Sequence, residues 1–227
     1  GGATGSAYNL VRGWGNAVGY ASVTVGELDV DVGGGGWLYV ILAALLVGDR
    51  GSVSGVDMAP EMIERARAAV IQAGVAERTS LVVADMAHTG IPDGSVDVII
   101  SNCVINLDPE KEAVYREVVR ILRPGGRIAI SDIVLSEPID SALSARFRAS
   151  WPGCVGGAVP EADYLRMIRS AGLTDPTVIA RHSLGEQELM SMFCCPGENY
   201  VPAPPAGELP AVRGKVTSIK FTATKPH

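Results

Sequence analysis

The length, composition and charge of the chain restrict what it can be. Its 227 residues suit one folded domain, because a single hydrophobic core stops growing only at roughly 250 residues. The formal net charge is −6, and no cluster of Lys and Arg is present to bind nucleic-acid phosphates. No apolar run approaches the roughly 18 residues that cross a bilayer, and the first residues, GGATGS, do not resemble a signal peptide. We therefore expect a cytoplasmic protein with a small-molecule partner, no nucleic-acid partner and no membrane association.

Strand-like and helix-like segments alternate through the first 135 residues, which is typical of a mostly parallel sheet covered by helices. Pro60 suits the first turn of a helix, where its missing N–H costs nothing, and the run RPGG at 123–126 suits the end of one. In chain order, the predicted elements are strands at 28–32, 52–56, 80–84, 96–101 and 127–133, and helices at 38–47, 60–73 and 108–122.

The pattern is looser after residue 135. Alternating apolar residues predict a last strand at 215–224, paired antiparallel with its neighbour. The other predicted elements are helices at 139–150, 161–171 and 184–193, a strand at 177–181, a glycine-rich loop at 151–160 and a proline-rich loop at 194–214. The whole pattern predicts an α/β fold with a Rossmann-like, seven-stranded, mostly parallel sheet, helices on both faces and an antiparallel last strand.

Two groups of residues follow the first two predicted strands, where open parallel sheets bind ligands. The first group is Asp31 with Gly33, Gly34 and Gly35, and its glycines allow the backbone to approach a ligand closely. The second is Asp57, about 20 residues further on, which is the spacing at which an acidic side chain meets ribose hydroxyls. Alternative interpretations are a flexible turn for the glycines and a helix-terminal acid before Pro60 for Asp57.

The next two strands are also followed by residues that can bind a ligand. Asp85 can accept a hydrogen bond and Met86 can stack on an adenine, although a loop acid and a core methionine are equally compatible with these positions. Asn102 belongs to the polar segment 101–107 (SNCVINL), which leads from the fourth strand into the predicted cleft. Asp29 is a local inconsistency, because it lies inside a strand that we expect to be buried.

Three segments closely resemble the arsenite methyltransferases: 55–67 (GVDMAPEMIERAR), 92–107 (PDGSVDVIISNCVINL) and 122–132 (LRPGGRIAISD). The resemblance runs from about Gly13 to Pro226, and SNCVINL is its most specific part. It implies a single S-adenosylmethionine-dependent methyltransferase domain of class I over 1–227, with lid-like irregular segments at about 136–160 and 183–214. It also implies a cofactor site in which Asp57 binds the ribose, Asp85 and Met86 the adenine, and Asn102 the methionine part, with Asp31, Gly33, Gly34, Gly35 and Met58 completing it.

The resemblance further implies methyl transfer to trivalent arsenic held by cysteine thiolates, with reducing thiols as co-substrate. Cys154 matches a family arsenic-ligand position, and Cys194 or Cys195 matches the other. Trivalent arsenic is soft and thiophilic, and its lone pair can attack a sulfonium methyl group without prior removal of a proton. Cys103 is interpreted as a buried structural thiol, because free cysteines are among the most buried residues.

Three residues depart from the family pattern: Trp14 replaces a cysteine, Trp37 replaces the third loop glycine, and Tyr39 stands where the family carries an aspartate. One thiol is therefore missing, which favours a monomethyl arsenic species, for which two thiolates suffice, over inorganic arsenite. Impaired activity is one form of the leading hypothesis. Two alternatives stay open: a methyltransferase with another small-molecule acceptor, for which we find no His or Lys base, and a catalytically silent binding protein of the same fold.

Overall fold

The computed structural model describes residues 17–33, 37–150, 153–191 and 208–227. Within these ranges, seven strands form one sheet in the order β3-β2-β1-β4-β5-β7-β6. The strands are β1 (Leu28–Val32), β2 (Ser52–Asp57), β3 (Thr79–Val83), β4 (Val96–Asn102), β5 (Leu122–Leu135), β6 (Thr174–Ser183) and β7 (Val216–Thr224).

Helices follow most of the strands. The α-helices are α1 (Ala17–Ala21), α2 (Trp37–Val47), α3 (Pro60–Gln72), α4 (Lys111–Ile121), α5 (Ser141–Ser150), α6 (Gly153–Gly156), α7 (Glu161–Ser170), α8 (Glu186–Ser191) and α9 (Glu208–Val212). Three short 3₁₀ turns accompany them at Gly48–Arg50, Ala76–Arg78 and Ile105–Leu107.

The strand order reverses between β1 and β4. β1 pairs in parallel with both β2 and β4, and β4 pairs in parallel with β5. β7 pairs antiparallel with β5 on one side and with β6 on the other. Ligands of open α/β sheets bind in the crevice outside the carboxyl ends of the strands at such a reversal. The topology confirms the predicted fold class and places the expected binding crevice at the ends of β1 and β4.

The hydrophobic core lies on both faces of the sheet. Val30 and Val32 of β1 belong to the cluster that includes Tyr115 of α4, whereas the opposite face is covered by apolar residues of α2 and α3. Because strand side chains alternate between the faces, Asp29 and Asp31 lie on the side of α2. Both oxygens of Asp29 are buried without a hydrogen-bond partner among the described residues. The structure thus confirms that an acidic residue lies inside a buried strand, as the sequence indicated.

The sequence placed most strands within two residues of their observed bounds, and the differences have physical causes. β5 begins at Leu122, which pairs with Val96 before the register breaks, so the RPGG segment is an irregularity within this strand. The helix predicted from residue 108 begins at Lys111. Helical turns occur in both predicted loops, at α6 and α9, where Val155 and Val212 are buried in one apolar cluster with Leu135. Residues 194–207 of the predicted proline-rich loop lie outside the described residues.

Candidate active site

A cavity of about 740 Å³ lies at the carboxyl ends of β1 to β4. Its volume falls within the roughly 300–1,000 Å³ of small-molecule sites. Residues that line it come from the ends of all four strands and from the start of α4: Gly33, Val56, Asp57, Met58, Ala59, Met62, Ala84, Asp85, Met86, Ala87, His88, Val104, Leu107, Asp108, Pro109, Glu110 and Ala113. The structure therefore brings together Gly33, Asp57, Met58, Asp85 and Met86 of the predicted cofactor site.

Asp57 and Asp85 are oriented in the same way. Oδ1 of Asp57 accepts a hydrogen bond from the backbone N–H of Ala59 at 2.9 Å, and Oδ1 of Asp85 accepts one from Ala87 at 2.7 Å. Within the described part of the chain, Oδ2 of each carboxylate has no protein partner. Each carboxylate is thus held by its own loop and keeps one oxygen for a ligand such as a hydroxyl or an amino group. The helix-terminal interpretation of Asp57 and the ligand-binding interpretation are compatible.

Gly33 allows a close approach between the cofactor loop and the segment after β4. Its backbone has φ +78°, and a Cβ atom added there would lie 2.1 Å from Cγ1 of Val104. Both facts require glycine at this position. Gly34 and Gly35, the other two predicted loop glycines, lie outside the described residues.

Two further predicted residues carry buried polar atoms that lack a partner among the described residues. Oδ2 of Asp31 and Oδ1 of Asn102 are both in this state, at the ends of the adjacent strands β1 and β4. Burial raises the pKa of Asp31 to about 8, and the negative charge of Asp57 adds to this shift. Because unsatisfied buried polar atoms are costly, these two are candidates to contact a polar ligand.

Met58, Met86 and Trp37 differ in their exposure and in their position relative to the cavity. Both methionines line the cavity, and Met86 is buried whereas Met58 is 66% exposed. Trp37, which replaces a family glycine, is half exposed and lies in a surface groove with Ile41 and Arg65, between α2 and α3. It does not line the cavity at the strand ends. The tryptophan therefore leaves that cavity open.

A second group of residues lies beside the cavity. Cys103, Asp132 and Cys154 each offer one ligand atom, and these three atoms lie within 4.8 Å of one another. Cys103 directly follows β4 and has φ +54°, a conformation held by the hydrogen bond from its N–H to the carbonyl oxygen of Ser131 at 2.8 Å. The Cys154 thiol, on α6, donates to the carbonyl oxygen of Cys103. Two thiols and a carboxylate thus converge from three separate elements.

The thiol site favours uncharged groups. The hydrogen bond with the Cys154 thiol raises the pKa of Cys103 well above its ordinary value, and burial adds to the effect. Burial also raises the pKa of Asp132 to about 6, although Asp132 accepts hydrogen bonds from Tyr164 Oη and Ile133 N, both at 2.8 Å. At neutral pH the Cys103 thiol is therefore protonated.

Sequence reasoning missed two residues of this site. Cys103 was interpreted as structural, yet the structure makes it the companion of Cys154; its position at the end of a central strand was the available signal. Lys111 is buried and its pKa is lowered by burial, while its Nζ donates to the carbonyl oxygens of Asp108 at 3.0 Å and Asn106 at 3.3 Å. Of the other predicted residues, Trp14, Cys194 and Cys195 lie outside the described residues.

The cavity and the thiol site share a wall. Val104 lines the cavity and contacts Gly33, and its chain neighbour Cys103 carries one of the two thiols. Burial raises the pKa of Tyr39 to about 12, and electrostatic interactions with Asp31 and Cys103 add to the shift, so this phenol lies near both sites. A ligand in the cavity would therefore lie close to a group held by the thiols.

Comparison with known proteins defines the class. A family model described as "Methyltransferase domain" matches residues 26–172, and the chain belongs to that family. Together with the class I sheet topology, this makes the chain a member of the S-adenosylmethionine-dependent methyltransferases, whose cofactor is S-adenosylmethionine.

Within that class, the chain is similar to arsenite methyltransferases. It is 42% identical to the arsenite methyltransferase of Halobacterium salinarum over 72% of this chain and 41% of that protein. It is 38% identical to that of Aquipseudomonas alcaligenes over 67% of this chain and 45% of that protein. The chain thus spans less than half the length of these two relatives.

Solved structures confirm the fold. The arsenic(III) S-adenosylmethionine methyltransferase of Chlamydomonas reinhardtii superposes with a TM-score of 0.74 at 24% identity, over 98% of this chain and 73% of that one. A geranyl diphosphate methyltransferase in complex with S-adenosylmethionine gives a TM-score of 0.65 at 17% identity, over 98% of this chain and 85% of that one. None of the described helices is both long and apolar enough to span a bilayer.

Proposed function

We propose that this chain transfers a methyl group from S-adenosylmethionine to trivalent arsenic held by Cys103 and Cys154. The observation that carries the proposal is the convergence of these two thiols and the Asp132 carboxylate within 4.8 Å, beside the cavity at the strand ends. The names of the relatives, arsenite methyltransferases in two microorganisms, support the same substrate. The proposal treats residues 1–227 as one domain with its lid-like segments near 136–160 and 183–214.

The residues that line the cavity, together with Asp31 and Asn102 near the ends of the adjacent strands β1 and β4, fit the cofactor. The carboxylates of Asp57 and Asp85 each keep one oxygen for a polar ligand, and the buried oxygens of Asp31 and Asn102 have no partner in the described structure. Gly33 has no side chain, so the loop after β1 can lie directly against Val104 of the segment after β4. We assign the ribose to Asp57, the adenine to Asp85 and Met86, and the methionine part to Asn102. When bound, S-adenosylmethionine would supply an electrophilic methyl group that an arsenic lone pair can attack without prior loss of a proton, with S-adenosylhomocysteine as the leaving group.

The thiol site fits a soft acceptor that arrives with its own leaving groups. The Cys103 thiol is protonated at neutral pH, so a bare dication would have to displace its proton unaided. Trivalent arsenic in solution carries hydroxide or thiolate groups. When a sulfur–arsenic bond forms, the thiol proton leaves with hydroxide as water or with thiolate as a free thiol. The two cysteines can therefore load the acceptor without a dedicated base.

Two protein thiols favour a monomethyl arsenic species over inorganic arsenite. A monomethyl species needs two sulfur ligands from the protein, whereas arsenite favours three. Cys194 and Cys195 stay candidates for a further ligand, and small reducing thiols stay candidates for the co-substrate. Lys111 does not revive the alternative of an acceptor that needs a base, because its Nζ donates to two backbone carbonyl oxygens.

Serine variants of the two thiols test the proposal. We expect the wild-type chain to bind one equivalent of a trivalent methylarsenical, and both Cys103→Ser and Cys154→Ser to lose at least about 99% of that affinity, because chelation by two sulfurs becomes attachment by one. Calorimetric titration with the arsenical measures this effect. Titration with S-adenosylmethionine is the control, since it should be unchanged in both variants.

Three outcomes would contradict the proposal. Wild-type arsenical binding in Cys154→Ser rejects the ligand assignment. Unchanged binding in Cys103→Ser, with loss in Cys194→Ser or Cys195→Ser, moves the second ligand to the late pair. The absence of S-adenosylmethionine binding to the wild-type chain at millimolar concentration rejects any methyltransferase activity.

A further inference from the structure

The two thiols lie on different short segments of the chain, and neither segment is part of a long helix or of the sheet. Cys103 lies between β4 and the 3₁₀ turn Ile105–Leu107, whereas Cys154 lies on α6, which has only four residues. A helix this short is not stable by its own hydrogen bonds, so its position depends on what it packs against. Val155 of α6 is 2% exposed and anchors the turn in an apolar cluster.

Gly157, directly after α6, lies against the backbone of the segment that follows Cys103. A Cβ atom added to Gly157 would lie 1.9 Å from the carbonyl oxygen of Asn106 and 2.9 Å from its carbonyl carbon. These are backbone atoms, so no side-chain rotation can relieve the overlap. Only glycine allows the turn that carries Cys154 to dock on the segment that follows Cys103.

Asn106 cannot retreat from this contact. Its side-chain Nδ2 donates to the carbonyl oxygen of Ile133 at 2.5 Å, its own carbonyl oxygen accepts from Lys111 Nζ at 3.3 Å, and the residue is 2% exposed. A larger residue at 157 must therefore displace the turn itself. Relief of this overlap requires a shift of about 1 Å that moves Gly157, and with it the end of α6, away from the carbonyl group of Asn106.

We propose that Gly157 is a positioning residue that sets the distance between the thiols of Cys154 and Cys103. It contacts neither the acceptor nor the cofactor cavity, and it acts through the placement of α6 against Asn106. The inference rests on the proposed function in naming a trivalent arsenical as the group that bridges the thiols. Its geometric content, two thiols kept within bridging distance by a missing Cβ atom, does not depend on arsenic.

The test compares Gly157→Ala with Gly185→Ala in the full chain. Gly185 is the matched control, because a Cβ atom added there would meet only a carboxylate oxygen of Glu188, at an ordinary contact distance of 3.4 Å. Thiol proximity is measured as the rate at which diamide oxidises Cys103 and Cys154 to a mutual disulfide, mapped by peptide mass spectrometry. Arsenical affinity is measured with a trivalent phenylarsenical, which needs two sulfurs.

We expect Gly157→Ala to lower both the disulfide rate and the arsenical affinity at least about tenfold, since a shift of about 1 Å misaligns the pair. Alkylation of each single thiol by iodoacetamide should persist, and S-adenosylmethionine should bind as in the wild type. Gly185→Ala should match the wild type in all four measurements. A merely structural role would not separate the two-thiol readouts from the one-thiol readout.

Other results would overturn the inference. Disulfide formation at the wild-type rate in Gly157→Ala shows that the glycine does not set the spacing. Loss of cofactor binding together with the thiol readouts shows that Gly157 supports the whole fold. If the wild-type chain forms the disulfide but binds no arsenical, the proposed function fails, while the disulfide rate of Gly157→Ala still decides the role of the glycine.

Discussion

The cofactor cavity and the thiol site share the segment after β4 but differ in their electrostatic surroundings. On the cavity side, the carboxylates of Asp57 and Asp85 are each held by one backbone N–H and keep an oxygen for a ligand. On the thiol side, the Asp132 carboxylate is fully buried, bonded at both oxygens, and has a raised pKa. One side offers carboxylate acceptors in an open cavity, and the other offers two partly buried thiols beside a buried carboxyl group.

The difference shows how one edge of a sheet can hold two reactants of opposite character. A cationic, hydroxyl-rich molecule is recognised by carboxylates that remain partly hydrated. A soft, uncharged acceptor is recognised by sulfur, for which a low-dielectric site carries little desolvation cost. Substitutions on one side should therefore affect one ligand and leave the other unchanged.

Asp57→Ala should give the larger of two effects that sharpen this comparison. We expect S-adenosylmethionine to bind about 1–3 kcal/mol more weakly, the usual cost of losing a hydrogen bond to a charged group. Calorimetry measures the change, and binding of a trivalent arsenical to the same variant should be that of the wild type. Asp57→Asn is the matched variant, because its side-chain oxygen can still accept the hydrogen bond from Ala59, while the charge is lost and the ligand-facing oxygen becomes an NH2 donor.

Wild-type cofactor affinity in Asp57→Ala would overturn the ribose assignment. A loss of arsenical affinity in the same variant would break the comparison itself, because it would show that the two sites are not independent.

Asp29→Asn should give a smaller effect, on stability. Burial raises the pKa of Asp29 to about 8, with the charge of Glu27 adding to the shift, whereas in the unfolded chain it is near 3.8. The folded state therefore binds the proton more tightly, and the stability that is present below about pH 4 is lost as the pH rises to about 8. Asn cannot ionise, so we expect the variant to be about 1–2 kcal/mol more stable than the wild type above pH 8, the unpartnered amide offsetting part of the gain.

Denaturant unfolding of both proteins between pH 4 and pH 9 measures this difference. The advantage of Asp29→Asn should shrink toward pH 4 and be absent there. A difference that does not depend on pH would show that Asp29 is ionised in the folded state. Arsenical and cofactor binding should not change, since Asp29 lies at neither site.

The sequence predicted the sheet because its signals are local. Runs of β-branched residues such as Val96 to Ile100, and Pro60 at a helix start, indicate an element without knowledge of its neighbours. The two helical turns in the predicted loops were missed, because α6 and α9 form where Val155 and Val212 reach a shared apolar cluster. That burial depends on the assembled fold.

The residues of the candidate site also differ in whether local sequence signals could predict them. Asp57 and Asp85 were predictable, since strand ends in a parallel sheet meet at one edge. The pairing of Cys103 with Cys154 was not, because 51 residues separate them and only the docking of α6 on the segment after β4 brings them together. The sequence could not predict that Trp37 leaves the cavity open, because this depends on its side chain lying in the groove beside α3.

A crystal structure of the chain with S-adenosylhomocysteine and a trivalent methylarsenical tests the central claim most directly. The account predicts the cofactor product against Asp57, Asp85 and Asn102, and arsenic bonded to the sulfurs of Cys103 and Cys154 with its open side toward the cavity. Arsenic bound to other sulfurs, or to these two sulfurs but facing away from the cavity, would contradict it.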